Sequence, residues 1–137
     1  MYFLPHARFL KYLNLFNPPD FVKIPVGVPF QDILVESDLL ITDFSSNCFE
    51  MAYMDKPSVI YVPGIEEVRQ TMPQYHMENF GHYENLTYCK SIDDALDAAK
   101  NLLDKEFDFS KRLFMHVDTD NSKRLVEWMI ENRPLNA

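Results

Sequence analysis

Three short, continuous apolar runs, Leu39–Thr42, Ser58–Val62 and Leu86–Cys89, are separated by stretches with helical spacing. Leu39–Thr42 and Ser58–Val62 read as buried strands, and Leu86–Cys89 as a last short strand. Strands of that kind joined through helices make a parallel sheet, because a parallel pair needs a long crossover connection. The expected architecture is therefore α/β, a parallel sheet with helices on both faces. Ligands of such sheets bind outside the carboxyl ends of the strands.

The rest of the chain fits around this frame. Tyr2–Leu4 reads as a short strand stopped by Pro5. Ala7–Phe16 has helical spacing and ends before Asn17-Pro18-Pro19. Phe21–Val28 reads as extended, Gln31–Glu36 as a helical turn, Ser46–Met54 and Ile65–Thr71 as helices, and Met72–Glu84 as a loop. Ser91 and Asp94 form a variant capping box opening a helix from Ile92 to about Leu103. Its expected buried face carries Ile92, Leu96, Ala99, Leu102 and Leu103. Asp108–Val117 is a short helix candidate. Ser122–Glu131 is the closing helix, with Leu125, Val126, Trp128, Met129 and Ile130 available to pack.

A chain of 137 residues with 47% hydrophobic residues suits one domain, residues 1–137, with a real core. No apolar run approaches the roughly 20 residues of a membrane span. The start lacks the pattern of a signal peptide. Cys48 and Cys89 have no short spacing, which argues against a disulfide framework or a zinc site and for a reducing, cytoplasmic compartment. The net charge of −8 argues against nucleic acid as a partner. The chain opens almost directly in a strand-like segment, so a piece of a longer protein is expected.

The densest group of potential ligand atoms is Asp38-Leu39-Leu40-Ile41-Thr42-Asp43-Phe44-Ser45-Ser46-Asn47-Cys48-Phe49-Glu50. It is a strand ending in Thr-Asp, a turn with two serines, and a helix start. Hydroxyls of Thr42, Ser45 and Ser46, with the helix N-terminus, suit a phosphate. Ordinary capping by Ser45 or Asp43 explains the same residues equally well. There is no Gly-rich loop and no P-loop. Glu50, one helical turn past Ser46, can accept bonds from ribose hydroxyls or simply face water.

His6, with Arg8 nearby, follows the first strand candidate and can neutralise a phosphate or protonate a leaving oxygen. His76, His82 and His116 match no metal motif. Asp118-Thr119-Asp120-Asn121-Ser122 is a second hydroxyl-bearing helix start, open to the same capping explanation.

Taken together, these segments resemble the CDP-glycerol glycerophosphotransferases of teichoic acid and capsule synthesis. The resemblance lies in Ser37-Asp38-Leu39-Leu40-Ile41-Thr42-Asp43-Phe44-Ser45-Ser46, Phe49-Glu50, Ala52-Tyr53, Asp55-Lys56-Pro57, Ile60-Tyr61 and Pro63. Leu4-Pro5-His6-Ala7-Arg8 looks like the family's Pro-His-Pro segment, with Ala7 for the second proline. Asp118 with Ser122-Lys123-Arg124 looks like its closing motif, with Thr119 for a glycine. Gln74–Asn85 departs from the family pattern, and Gly81-His82 is the nearest echo.

The resemblance implies the Rossmann-like, nucleotide-binding C-terminal half of a GT-B glycosyltransferase fold. Thr42, Asp43, Ser45 and Ser46 would hold the donor's diphosphate, Glu50 would lie near the ribose, and Arg8 and Asp118 would complete the donor site. His6 would be catalytic and face the phosphate. The donor would be CDP-glycerol or a related CDP-alcohol and the acceptor a polymer hydroxyl. CMP would leave, and no metal or other cofactor is implied. A second catalytic histidine would belong to an N-terminal domain absent here, so this chain alone would bind donor weakly without turnover. The full-length protein would sit in the cytoplasm, peripheral to the inner face of the membrane. Two competing readings are a nucleotide-sugar transferase or epimerase of the same fold and a receiver-like phosphoacceptor domain using Asp43 and Lys90. A third is a non-catalytic partner domain.

Overall fold

Strands β1 (Leu40–Thr42), β2 (Ser58–Tyr61) and β3 (Leu86–Cys89) form a parallel sheet in that order. The computed structural model describes residues 1–43, 45–71, 86–108 and 110–132, with the backbone alone at 111 and 112. Leu40 stands opposite Ser58 and Thr42 opposite Ile60, while Ser58 stands opposite Leu86 and Tyr61 opposite Cys89. The expected α/β class with a parallel sheet is therefore present.

Both faces of β2 and β3 are covered, whereas β1 is only half-buried and its Ile41 is exposed, so the full burial expected of Leu39–Thr42 is not met. Ile60, Val62 and Leu86 pack on one face with Cys48 of α2 (Asn47–Tyr53) and Ile65 of α3 (Ile65–Thr71). Val59 and Cys89 pack on the other with Ala95, Ala99 and Leu102 of α4 (Ile92–Leu103). The steps β1 to β2 and β2 to β3 move the same way across the sheet. The helices that follow β1 and β2 supply residues to the same face, as right-handed crossovers require. Full burial of a side chain such as Ile60 or Leu86 stabilises the fold by about 1.5–3 kcal/mol.

Contacts divide the chain into Met1–Ser37 and Asp38–Ala137, and the sheet belongs to the second unit. In the first unit, the strand expected at Tyr2–Leu4 is reduced to one parallel bridge between Tyr2 and Lys23. Phe3 N–H donates to Lys23 C=O at 2.9 Å, and Lys23 N–H donates to Met1 C=O at 2.9 Å. Pro5 has no N–H with which to continue the ladder. Of the extended stretch expected at Phe21–Val28, only Lys23 pairs in this way, and Gly27 turns with a positive φ of 73°. The helix expected over Ala7–Phe16 is a 3-10 helix, Ala7–Leu15, that buries no residue. Helix α1 (Phe30–Glu36) buries Ile33 and Leu34.

Three other expectations are corrected in the second unit. Helix α4 begins as the sequence indicates: the extended Ser91 accepts Asp94 N–H at 3.1 Å and donates its hydroxyl to the Asp94 carboxylate at 2.6 Å. Its buried face, however, is Ala95, Ala99 and Leu102, while Ile92, Leu96 and Leu103 are exposed. Small side chains at 95 and 99 let the helix lie close to the sheet, so the larger residues of the neighbouring stripe turn outward. Helix α6 (Asn121–Glu131) buries no residue, and Leu125, Val126, Trp128, Met129 and Ile130 are all exposed. The Asp108–Val117 candidate contracts to α5, Ser110–Leu113. The loop expected over Met72–Glu84, with His76 and His82, lies outside the described residues.

Helix α2 ends in a Schellman motif. Lys56 N–H donates to Met51 C=O at 2.9 Å and Asp55 N–H to Ala52 C=O at 3.1 Å. Asp55 has a φ of 56° and is the one non-glycine residue with a positive φ among those described. This is the left-handed position that such a stop requires, and Asp is one of the few side chains that tolerate it.

Candidate site at the carboxyl end of the parallel sheet

Because the strands are parallel, their carboxyl ends share one edge of the sheet. Thr42 closes β1 there, half-buried, and the chain turns through Asp43, Ser45 and Ser46 into α2. Phe44 lies outside the described residues.

The two serines divide the work that the sequence left open between capping and ligand binding. Ser45 Oγ accepts Asn47 N–H at 3.3 Å, and Ser45 C=O accepts the Cys48 thiol at 3.3 Å. Ser45 thus shapes the turn by local hydrogen bonding. Ser46 occupies the cap position but makes no side-chain cap bond, and its φ and ψ of −69° and −7° are already helical. A capping hydroxyl needs an extended backbone to reach back to the second or third helical N–H. The Ser46 side chain therefore stays exposed at the mouth of the turn. Glu50, also exposed, lies one helical turn further on. Cys48 is fully buried beneath them, and burial pushes its thiol up to about 11, so it is an inert wall of the turn.

The segment before and into α6 is built around Asp118. Its carboxylate accepts two bonds from the Arg124 guanidinium, at 2.7 and 3.2 Å, and Asp120 N–H at 2.8 Å. Arg124 also donates to Asn121 Oδ1 at 2.6 Å. Asp118 C=O accepts the Tyr53 hydroxyl at 3.0 Å, which brings Asp118 to α2. Tyr53 meets the Phe114 ring edge-on at 5.1 Å. Asp118, which the resemblance places in the donor site, has its carboxylate engaged by Arg124. The hydrogen bonds from Arg124, then that from Asp120 N–H, hold the Asp118 carboxyl below its ordinary range. A lowered folded-state value stabilises the fold above the unfolded carboxylate range, and that contribution is lost as pH falls through the folded value. Arg124→Gln is therefore expected to lower the thermal midpoint at pH 7, with the gap to the parent chain narrowing as pH falls below the unfolded carboxylate range. A gap independent of pH would count against the pair.

His6 and Arg8 belong to the first unit. His6 Nδ1 accepts Arg8 N–H at 3.2 Å, which caps the 3-10 helix and places the proton of the neutral ring on Nε2. His116 is exposed and adds a small favourable field at Asp118. Lys90, which a receiver-like site would need beside Asp43, pairs with Glu66 at 3.3 Å. Lys90 and then Arg69 hold the Glu66 carboxyl low. Among the described residues no group of three or more His, Cys, Asp or Glu is arranged to hold a metal ion, and no helix is long and apolar enough to cross a membrane.

Two grooves, of about 680 and 400 Å³, run beside β3 with α4 and around Pro57 with Phe107. Neither is lined by the Thr42–Glu50 turn. The second lies at the amino ends of the strands, the side away from the ligand edge of such a sheet. Sequence reasoning missed Asp55, which the structure ties to Ser110. Its signal was an Asp directly before Lys-Pro at a helix end.

The chain is 33% identical over 108 residues to the teichoic acid ribitol-phosphate polymerase TarK of Staphylococcus aureus, covering 78% of this chain and 21% of that protein. It is 28% identical over 134 residues to the minor teichoic acid biosynthesis protein GgaB of Bacillus subtilis, covering 94% and 15%. It is 29% identical over 104 residues to a teichoic acid poly(glycerol phosphate) polymerase of Bacillus spizizenii, covering 73% and 26%. The chain thus spans about a quarter or less of the length of these relatives. No solved structure matches it. The family model described as CDP-glycerol:poly(glycerophosphate) glycerophosphotransferase matches residues 9–131, which include the turn, α2 and the Asp118–Arg124 pair. The chain belongs to that glycerophosphotransferase family.

Proposed function

We propose that the chain carries the donor-binding part of a phosphotransferase that moves glycerol phosphate or ribitol phosphate from a CDP-alcohol to a hydroxyl of a cell-wall or capsule polymer. The observation that supports this most is Ser46: a hydroxyl at a helix start, on the ligand edge of the sheet, with no capping duty. Ser46, Ser45 and Thr42 would donate to the diphosphate, and Glu50 would accept from the ribose. A carboxylate repels phosphate, so Asp43 enters through the backbone of the turn.

In the reaction, the acceptor oxygen attacks the phosphorus that bears the alcohol. A new P–O bond forms, the bond to CMP breaks, and the acceptor proton passes to a base. His6 would donate its Nε2–H to the phosphate that leaves, with Arg8 supplying the positive charge. Hydrogen-bond donors aimed at developing charge are the main source of such catalysis. The chain alone is expected to bind donor weakly without turnover. The full enzyme would work at the cytoplasmic face of the membrane.

Titration with CDP-glycerol, CDP-ribitol and a UDP-sugar tests the reading. Binding of a CDP-alcohol is expected, weakened in Ser46→Ala while circular dichroism is unchanged. Preference for the UDP-sugar, or no binding at all, would defeat it.

A further inference from the structure

We infer that Asp55 is a positioning residue of the donor site, holding the 110–124 segment against the α2 face that presents Ser46 and Glu50. The inference rests on the donor-site reading above. It starts from an oddity at the end of α2. A helix stop in the left-handed region is most easily made by glycine, which adopts it without strain. Here Asp55 occupies it. The stop itself uses only backbone groups, so it does not explain the carboxylate.

The carboxylate is used elsewhere. One oxygen accepts Ser110 N–H at 2.6 Å and the other accepts the Ser110 hydroxyl at 3.1 Å. Ser110 is 2% exposed and stands 55 positions away. Short bonds to an ionised acceptor are the strong ones. The carboxylate of one helix stop thereby caps the first N–H of another helix, α5.

From Ser110 the chain returns to α2 twice more. The Phe114 ring meets Tyr53, and Asp118 C=O accepts the Tyr53 hydroxyl. Ser46, Glu50 and Tyr53 are spaced four and three residues apart, which puts them on one face of the helix. Asp118 in turn fixes the Arg124 guanidinium. The contacts run from Asp55 to Ser110, from Phe114 and Asp118 to Tyr53, and from Asp118 to Arg124, and they tie a cation to the helix that begins at Ser46. Asp55 touches no reacting atom in this scheme; it decides where Arg124 stands.

The test compares Asp55→Gly, Asp55→Asn and the parent chain. Glycine keeps the turn and removes the tie. Asparagine keeps both the left-handed backbone and an acceptor for Ser110 N–H. Asp55→Gly is expected to stay folded by circular dichroism, yet bind CDP-glycerol roughly tenfold more weakly, the scale of coupling carried through packed contacts. The anisotropy of Trp128, the chain's one tryptophan, is expected to fall with it, because α6 loses its anchorage. Asp55→Asn is expected to recover most of both. A folded Asp55→Gly with parental affinity and anisotropy would overturn the inference while leaving the donor site intact. Binding of neither CDP-glycerol nor CDP-ribitol by the parent chain would overturn the donor reading, and the role of Asp55 with it. Should Asp55→Gly fail to fold, Ser110→Ala decides by the same titration: weaker binding supports the tie, and unchanged binding overturns it.

Discussion

Ser46→Asp is expected to leave the chain folded and to abolish donor binding. The two effects have opposite signs, and that makes the substitution informative. An acidic residue at the start of a helix interacts favourably with the helix dipole, by about 0.3–1 kcal/mol. If the turn were only a cap, Asp would serve as well as Ser. A diphosphate at the same place meets a like charge instead. At an effective dielectric constant near 20, one such pair about 4 Å apart is unfavourable by about 4 kcal/mol. Affinity for CDP-glycerol should therefore drop at least about a hundredfold. Calorimetric titration alongside a thermal melt reads both effects. Parental affinity in Ser46→Asp would remove the phosphate from this turn.

Ile60→Ala should be the most damaging single truncation of the sheet. Ile60 is fully buried in the central strand, opposite Thr42 and Tyr88, and packs with Cys48, Val62, Ile65 and Leu86. Removing those carbons leaves a cavity between two layers that are pinned by strand register, so little collapse is available. The loss is expected at about 2–5 kcal/mol, against a total of about 5–15 kcal/mol for a typical domain. Ile41, the same residue type in the neighbouring strand, is 46% exposed. Ile41→Ala should therefore lose under about 1 kcal/mol, within the range of surface changes. Urea unfolding of the pair checks this, and similar losses at both positions would contradict the core assignment.

Much of the fold was legible because a strand buried on both faces writes an unbroken apolar word. The bounds of β3, α3 and α4 match expectation, and β1 and β2 differ by one residue at an end. What failed has physical reasons. Helical periodicity marks an apolar stripe on α4 but not which neighbouring stripe lies down, and the alanines at 95 and 99 decided that. Apolar residues on α6 show that a face exists, not that anything covers it. The expected strand at Tyr2 needed a longer ladder than Pro5 permits.

At the site, the sequence placed Thr42, Ser45, Ser46 and Glu50 on one turn and helix start, and the backbone angles then separated the serine that shapes the turn from the one that faces outward. The Asp118–Arg124 pair and the Asp55–Ser110 tie were not legible. Each joins residues through the fold, and capping chemistry masks both.

The Asp55–Ser110 tie also says something about the order in which this chain assembles. Helix α2 and its stop form from contacts within a few residues. The tie closes a loop of 55 positions, and the entropic penalty of closure rises with loop length, by about 0.6 kcal/mol per doubling. Pairing of β2 with β3 between its ends shortens the loop that remains to be closed, so the tie is expected to form after the sheet. The wall that holds Arg124 is thus a late arrival in folding and an early departure on heating, so nucleotide affinity should fade before the sheet itself melts.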